Sequence, residues 1–294
     1  MLFFLSLIIE GALAGALYAL IALAFVIIYK ASRVINFALG EWLMLATLLV
    51  ATGLHLLGLN LAWAVAIACA GMFVFASLLN TLVLRHLVGQ PLISVLMVTL
   101  GIAALVRGLA QLAFSSVPNR IPLPIPTDSF LLGDLHVPAD KLVAALVAAL
   151  SIALVAWFHQ RSRTGVALRA IADDQQVAMA MGINVPHHLL IVWCIAGAVC
   201  VLAGTLWTFV TGGGFGLGLV GFKIFPIVII GGLDSIPGTI IAAVFVGVLE
   251  SLATGYLDPH VGGGCGVLAS YLTLIAMLFV RPFGLFGREH VQRI

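Results

Sequence analysis

Eight stretches of this chain, near residues 6 to 29, 41 to 59, 61 to 84, 92 to 116, 141 to 158, 189 to 211, 238 to 256 and 266 to 280, are almost continuously apolar. A bilayer's hydrocarbon layer is about 30 Å thick, so a helix needs roughly 20 such residues to span it. No water reaches backbone amides there, which leaves helices and closed barrels as the only spanning structures. Barrel strands alternate in polarity over about 10 residues, whereas these runs do not alternate and are about twice as long. The sequence therefore predicts an all-α polytopic membrane protein with about eight transmembrane helices. A further apolar piece, "GFKIFPIVIIGGL" at 221 to 233, is too short to cross and carries Pro226, which predicts a broken or re-entrant segment. Composition agrees: 63% of residues are hydrophobic and 8% charged, against about 25% charged in soluble domains.

Lys and Arg positions set the orientation. Alternate loops place Lys30, Arg33, Arg85, Arg161, Arg163, Arg169, Arg281, Arg288 and Arg293 on one side and only Arg120 and Lys141 on the other. The richer side is cytoplasmic by the positive-inside rule. This predicts an N-terminus outside and a C-terminus inside, with the short segment counted as a crossing. "MLFFLSLIIEG" lacks the basic start of a signal peptide, and its retention is expected. Cys69, Cys194, Cys200 and Cys265 lie in or beside apolar spans without metal spacing, so packing is their expected role. A net charge of +2 spread over the loops gives no nucleic-acid patch.

Two loops are long. The outer one, 117 to 140, contains Pro118, Pro122, Pro124, Pro126 and Pro138 and is expected to be extended, either as a docking surface or as a connector. The inner one, 159 to 188, carries the polar stretch "RAIADDQQVAMAMGINVPHH". Asp173 reads as its N-cap with Gln176 three residues on, and Asp174 adds charge favoured by the helix dipole. Gly182 reads as a left-handed stop and Pro186 as a block to continuation. A helix from Asp174 to Met181 follows, with Val177, Ala178 and Met181 as its apolar stripe. Isolated helices below about 12 residues are marginal, so the membrane surface, the protein's own helix ends or a partner's groove must support it.

Ionisable residues inside spans are costly, which makes them functional candidates. Glu41, at the entrance to the second span, is placed to cap that helix, to orient Asn36 or to touch a solute. Glu250 is expected to face the bundle interior with a structural hydrogen bond. Arg107 is expected to snorkel to the outer interface, with Glu10 within reach of it, and Lys223 and Asp234 to anchor the ends of the short segment. The run "GGGFGLG", 212 to 218, serves either as a hinge or close backbone approach, or as a loose turn. His55, His86, His187 and His188 read as solvated. "LAGALY" at 13 to 18 is echoed by "LAGTLW" at 202 to 207, in spans that five crossings set antiparallel, as in the inverted repeats of transporters.

Five ordered blocks carry a resemblance: "GALYALIALAFVIIYKASRVINFALGEW" from 15 to 42, "TLG" at 99 to 101, "GVALRAIADDQQVAMAMGINV" from 165 to 185, "GFKIFPIVIIGGLDSIPGTIIAAVFVGVLESL" from 221 to 252, and "RPFGLFG" at 281 to 287. They resemble the branched-chain amino acid ABC permeases of the LivH/LivM type, nearest the LivH branch, over most of the chain. It departs from that pattern at Leu39, where a polar residue is common, and at Asp234, which replaces a small one.

The resemblance implies that 1–294 is one ABC importer permease domain in a bacterial cytoplasmic membrane, with 159–188 as its cytoplasmic coupling loop. It implies two cytoplasmic ATPase subunits, a second LivM-like permease, an extracytoplasmic solute-binding protein and surrounding lipid as partners, with ATP and Mg on the ATPases and no cofactor or metal here. Coupling is expected at Arg169, Ala170, Asp173, Asp174, Gln176, Ala178, Met181 and Gly182. The solute path is expected to pass Asn36, Phe37, Gly40, Glu41, Gly214, Phe215, Phe225 and Glu250. The sequence has no phosphate-binding loop of its own, its only lysines being Lys30, Lys141 and Lys223, and no catalytic constellation. Expected solutes are branched-chain or other small neutral amino acids. Permeases for urea, amides or small carboxylates, an ion-coupled secondary transporter or channel, and a structural membrane subunit are the alternatives.

Overall fold

The structure, a computed structural model, describes residues 1–83, 86–87, 90–115, 117, 121–123, 129–132, 135–282 and 284–287. Arg85, Arg120, Arg288 and Arg293, and Pro118, Pro124 and Pro126 of the outer loop, lie outside the described residues. Among those described, the chain forms eleven helices and one hairpin. In order they are α1 (Leu2–Ser32), α2 (Leu39–His55), α3 (Leu61–Leu82), α4 (Leu92–Phe114), β1 (Ser129–Leu132), β2 (Leu135–Pro138) and α5 (Ala139–Arg161). Then come α6 (Arg163–Asp173), α7 (Gln175–Ala180), α8 (Val185–Thr211), α9 (Leu217–Gly231), α10 (Ile236–Val261) and α11 (Cys265–Val280).

Six of these helices are long and apolar enough to cross a membrane: α1, α3, α4, α5, α8 and α10. The other apolar helices, α2, α9 and α11, have 17, 15 and 16 residues. At about 1.5 Å per residue they fall short of a full hydrocarbon layer. The short segment around Pro226 is thus a helix in its own right, with the proline inside it. The proline ring removes one amide donor from its ladder. In α1 and α8, 78% and 67% of the most apolar window is buried, against 22% in α3 and 28% in α4 and α5. The two spans that carry the sequence echo are therefore the most enclosed ones.

The chain divides into two compact units. One comprises Met1–Val26, Pro124–Ala149 and Lys223–Ile294, the other Ile27–Leu123 and Leu150–Phe222. In the first, α1 meets α10 through glycines. A Cβ on Gly11 would lie 2.6 Å from the Cα of Val248, and one on Gly15 2.7 Å from that of Val244. Close approach of this kind is how helices associate in lipid, where burial of apolar surface gives no drive. α10 packs on α11 across a turn in which Asp258 Oδ1 accepts from the amide of Cys265 at 2.8 Å. In the loop 117–140, β1 and β2 pair antiparallel, with Phe130 opposite Val137 and Leu132 opposite Leu135. Part of the extended loop is therefore an ordered hairpin.

In the second unit α8 packs on α2 and α3, and α4 packs on α2. Trp42 of α2 sits 5.4 Å from Trp193 of α8 and 5.1 Å from Phe75 of α3, ring centre to ring centre. Trp42 and Trp193 are each 1% exposed, which makes this aromatic cluster the heart of the unit. Gly204, in the echo, abuts Thr47 and Leu43 of α2. Gly15 and Gly204 thus do the same job in their separate units: each lets its helix touch another's backbone.

Candidate functional site

The first site is the loop 159–188 in the second unit. Ser162 caps α6, its Oγ accepting from the amide of Gly165 at 2.8 Å. Leu168 and Ile171, 2% and 1% exposed, bury one stripe of α6. Glycine is required at 165 because a Cβ there would strike the carbonyl group of His159. Arg169 turns back along α6 and donates to the carbonyls of His159 and Gln160, at the end of α5. Those are the last carbonyls of a helix, which lack intrahelical donors.

α6 runs on through Asp173, so the N-cap of the next helix is Asp174 rather than Asp173. Its Oδ1 accepts from the amides of Gln176 at 2.8 Å and Val177 at 3.0 Å. The reason is packing: burial of Ile171 holds α6 helical up to the second aspartate. α7 closes as expected at Gly182, φ +83°. The amide of Ile183 reaches Ala178 O and that of Gly182 reaches Met179 O, both at 3.0 Å. Those two bonds form the Schellman closure. Ala178 is the inward residue of α7, while Val177, Met179 and Met181 are 58%, 53% and 78% exposed. Ala170 and Arg169 are half-buried on α6, and Gln176 is exposed. Pro186 lies in the first turn of α8, whose cap is Asn184, accepting from the amide of His187 at 3.2 Å.

The second site, also in the second unit, lies where α2 and α9 begin. Each helix opens with Leu-Gly: Leu39-Gly40 and Leu217-Gly218. The glycines touch, since a Cβ on Gly40 would strike the carbonyl of Gly218, and one on Gly221 would lie 2.6 Å from the amide nitrogen of Gly40. Glu41, 3% exposed, occupies the first turn of α2. Arg107 of α4 donates from Nη2 to its Oε1 at 2.7 Å. Arg107 does not snorkel away, because a buried carboxylate holds it. A Cβ on Gly218 would strike that guanidinium and come within 3.0 Å of Glu41 Oε1, so the start of α9 lies against the pair.

Just before α2, Asn36 is 2% exposed and its Oδ1 accepts from the amide of Ala38 at 3.1 Å. Its Nδ2 has no partner among the described residues. Phe37 is half-buried and Leu39 buried. Gly214, φ +86°, accepts from the amide of Leu217 at 3.1 Å in the turn that leads into α9, and Phe215 is half-buried there. Of the eight expected path residues, six thus fall in this unit.

The other two, Phe225 and Glu250, belong to the first unit. Phe225 packs edge-on against Phe25 at 5.3 Å. Glu250 accepts from Tyr18 Oη at 2.7 Å and from Lys223 Nζ at 2.6 Å. Lys223 is therefore an interior ion-pair partner within α9, not an end anchor. Glu10, in the same unit, accepts from Lys141 Nζ at 2.9 Å. No sequence signal pairs these charges, which are separated by 27 to 131 positions. Their placement inside apolar spans was the available hint.

Apolar helices that cross at glycines, six of them long enough to span a bilayer, define a polytopic membrane protein. The chain belongs to the family described as branched-chain amino acid transport system, permease component, whose model matches residues 7–280. The high-affinity branched-chain amino acid transport system permease LivH of Salmonella typhimurium is 27% identical, over 100% of this chain and 98% of its own length. BraD of Pseudomonas aeruginosa is 27% identical over 99% and 98%. A probable LivH of Methanocaldococcus jannaschii is 28% identical over 96% and 92%. Among solved structures, PsaBC from Streptococcus pneumoniae in complex with a Fab aligns at TM-score 0.49 and 16% identity, covering 93% of this chain and 91% of that one.

Proposed function

We propose that this chain is one of two permease subunits of an ATP-driven, binding-protein-dependent importer for branched-chain or other small neutral amino acids. Family membership over residues 7–280 carries the reading. In it, residues 1–294 act as one importer domain in the cytoplasmic membrane, with the N-terminus outside and the C-terminus inside. Two cytoplasmic ATPases bind and hydrolyse ATP with Mg, an outer binding protein delivers the solute, and a LivM-like permease completes the path.

The inner loop supports a coupling role. Its two helices are capped at both ends and pinned by Arg169, and α7 turns Val177, Met179 and Met181 outward. Rigid and apolar at its tip, the loop suits a groove on an ATPase, and ATPase dimerisation would then rock the helices that it joins. The cluster at Asn36, Gly40 and Glu41, with the glycine turn at Gly214, supports a solute path in the second unit. Glu41, buried, and Glu250, half-buried, each already hold a cation. That leaves neither as an open cation site and disfavours ion-coupled transport.

The test is gentle purification from the native membrane with mass spectrometry of what accompanies the chain. Two ATPase chains carrying phosphate-binding loops, plus a second permease, are expected. Isolation of the chain alone after mild crosslinking would overturn the assignment.

A further inference from the structure

Arg107 lies deep in α4, seven residues before the helix ends at Phe114. Its neighbours Leu105, Leu109 and Leu112, 59%, 58% and 83% exposed, project from the opposite side of the helix by the step of about 100° per residue. Those leucines suit lipid. Arg107 does not, yet 36% of its side chain is open, while Glu41 beneath it is only 4% open.

Hydrocarbon accepts no hydrogen bond, and an unsatisfied donor there costs several kcal/mol as an order of magnitude. The open side of Arg107 must therefore meet polar groups or water rather than hydrocarbon, although Leu100, one helical repeat earlier on the same face, is 41% exposed. Of the five N–H groups of a guanidinium, one is committed among the described residues, to Glu41. The remainder form a planar fork suited to a carboxylate.

We propose that Arg107 receives the carboxylate of the transported solute, with Glu41 as the anchor that holds its guanidinium in place. This rests on the importer reading above. Arg107 and Glu41 together are net neutral and so is an amino-acid zwitterion, so its arrival leaves no net charge inside the membrane. The start of α9 fixes the geometry, because Gly218 lies so close to the guanidinium that a methyl group there would displace it. A structural ion pair alone needs no open fork.

The experiment uses the complete transporter in proteoliposomes with saturating binding protein and labelled L-leucine, and reads L-leucine moved per ATP hydrolysed. Arg107→Gln is expected to lower that ratio at least tenfold, and Arg107→Lys to recover part of it, having the charge without the fork. Arg107→Gln combined with Glu41→Gln strands no buried charge and tests the idea if the single variant fails to insert; it too is expected to lose at least tenfold. A ratio within twofold of wild type in either Gln variant overturns the assignment of Arg107 alone. Failure of the wild type to move L-leucine or any other small neutral amino acid with ATP overturns the importer reading and this one with it.

Discussion

Arg33 donates from Nη2 to the carbonyl oxygen of Ala172 at 3.2 Å, tying the end of α1 to the last turn of α6. Its backbone has φ +58°, the only positive value among the described non-glycine residues. Such a conformation costs on the order of 1 kcal/mol in an L-residue. The guanidinium meets the negative end of the α6 dipole and lies 5.8 Å over the Tyr29 ring. Together with Arg169, which grips the end of α5, it holds the inner loop from two sides.

Arg33→Gly removes the tie while easing the backbone. A charge-assisted bond of this kind contributes about 1.5 kcal/mol, so amide exchange across residues 163–173 is expected to quicken roughly tenfold. Hydrogen-exchange mass spectrometry reads this directly. Unchanged exchange would show that packing of Leu168 and Ile171 alone fixes the loop.

Asp174→Ala removes two accepted amide bonds at the start of α7 and is expected to cost about 1 kcal/mol of local stability. Asp173→Ala, on an exposed residue without a capping bond, should change little. Gly182→Val forces a β-branched residue to φ +83° and should disrupt the closure more than loss of the cap does. Transport per ATP should fall for Asp174→Ala and further for Gly182→Val, and stay within twofold for Asp173→Ala. Equal effects of the two aspartates would contradict the observed cap.

Six of the eight expected spans were legible because roughly 20 apolar residues have one stable arrangement in lipid, and the stop at Gly182 because only a left-handed residue closes α7. The cap was misplaced by one position because adjacent aspartates are equally competent. What decides between them is the burial of Ile171, a tertiary fact. α6 has only Gly165, Leu168 and Ile171 on its buried side, too few to stand out as a period. "SFLLGDLHVP" does contain the two short apolar runs around Gly-Asp that signal a hairpin, but the surrounding prolines obscured it. The pairing of Arg107 with Glu41 spans 66 positions, and nothing local in a sequence encodes such a distance.

Gly40→Ala and Gly221→Ala each place a methyl group into facing backbone at the start of α2 or α9. Backbone cannot yield as a flexible side chain does, so each is expected to lower the thermal midpoint of the solubilised protein by several degrees. Gly101→Ala on α4 meets nothing within 4 Å and should raise the midpoint slightly, since alanine is favoured over glycine in a helix by about 0.5–1 kcal/mol. A loss at Gly101 equal to that at Gly40 would show that the glycine crossing has no special place in the fold.

Glu250 serves two donors at once, Tyr18 of α1 and Lys223 of α9, so its variants separate charge from hydrogen bonding. Glu250→Gln strands a half-buried ammonium and should destabilise strongly, because removing one member of a buried pair costs about 3–5 kcal/mol, less where water reaches it. Lys223 is one-third open, which places the expectation at the lower end. Lys223→Met leaves Glu250 with Tyr18 and should be milder. The double variant removes both charges and should be less harmful than the sum of the singles, with a coupling of at least about 1 kcal/mol. Thermal unfolding of the four solubilised proteins closes the cycle. Simple additivity would mean that water already screens the pair and that Tyr18 alone keeps Glu250 in place.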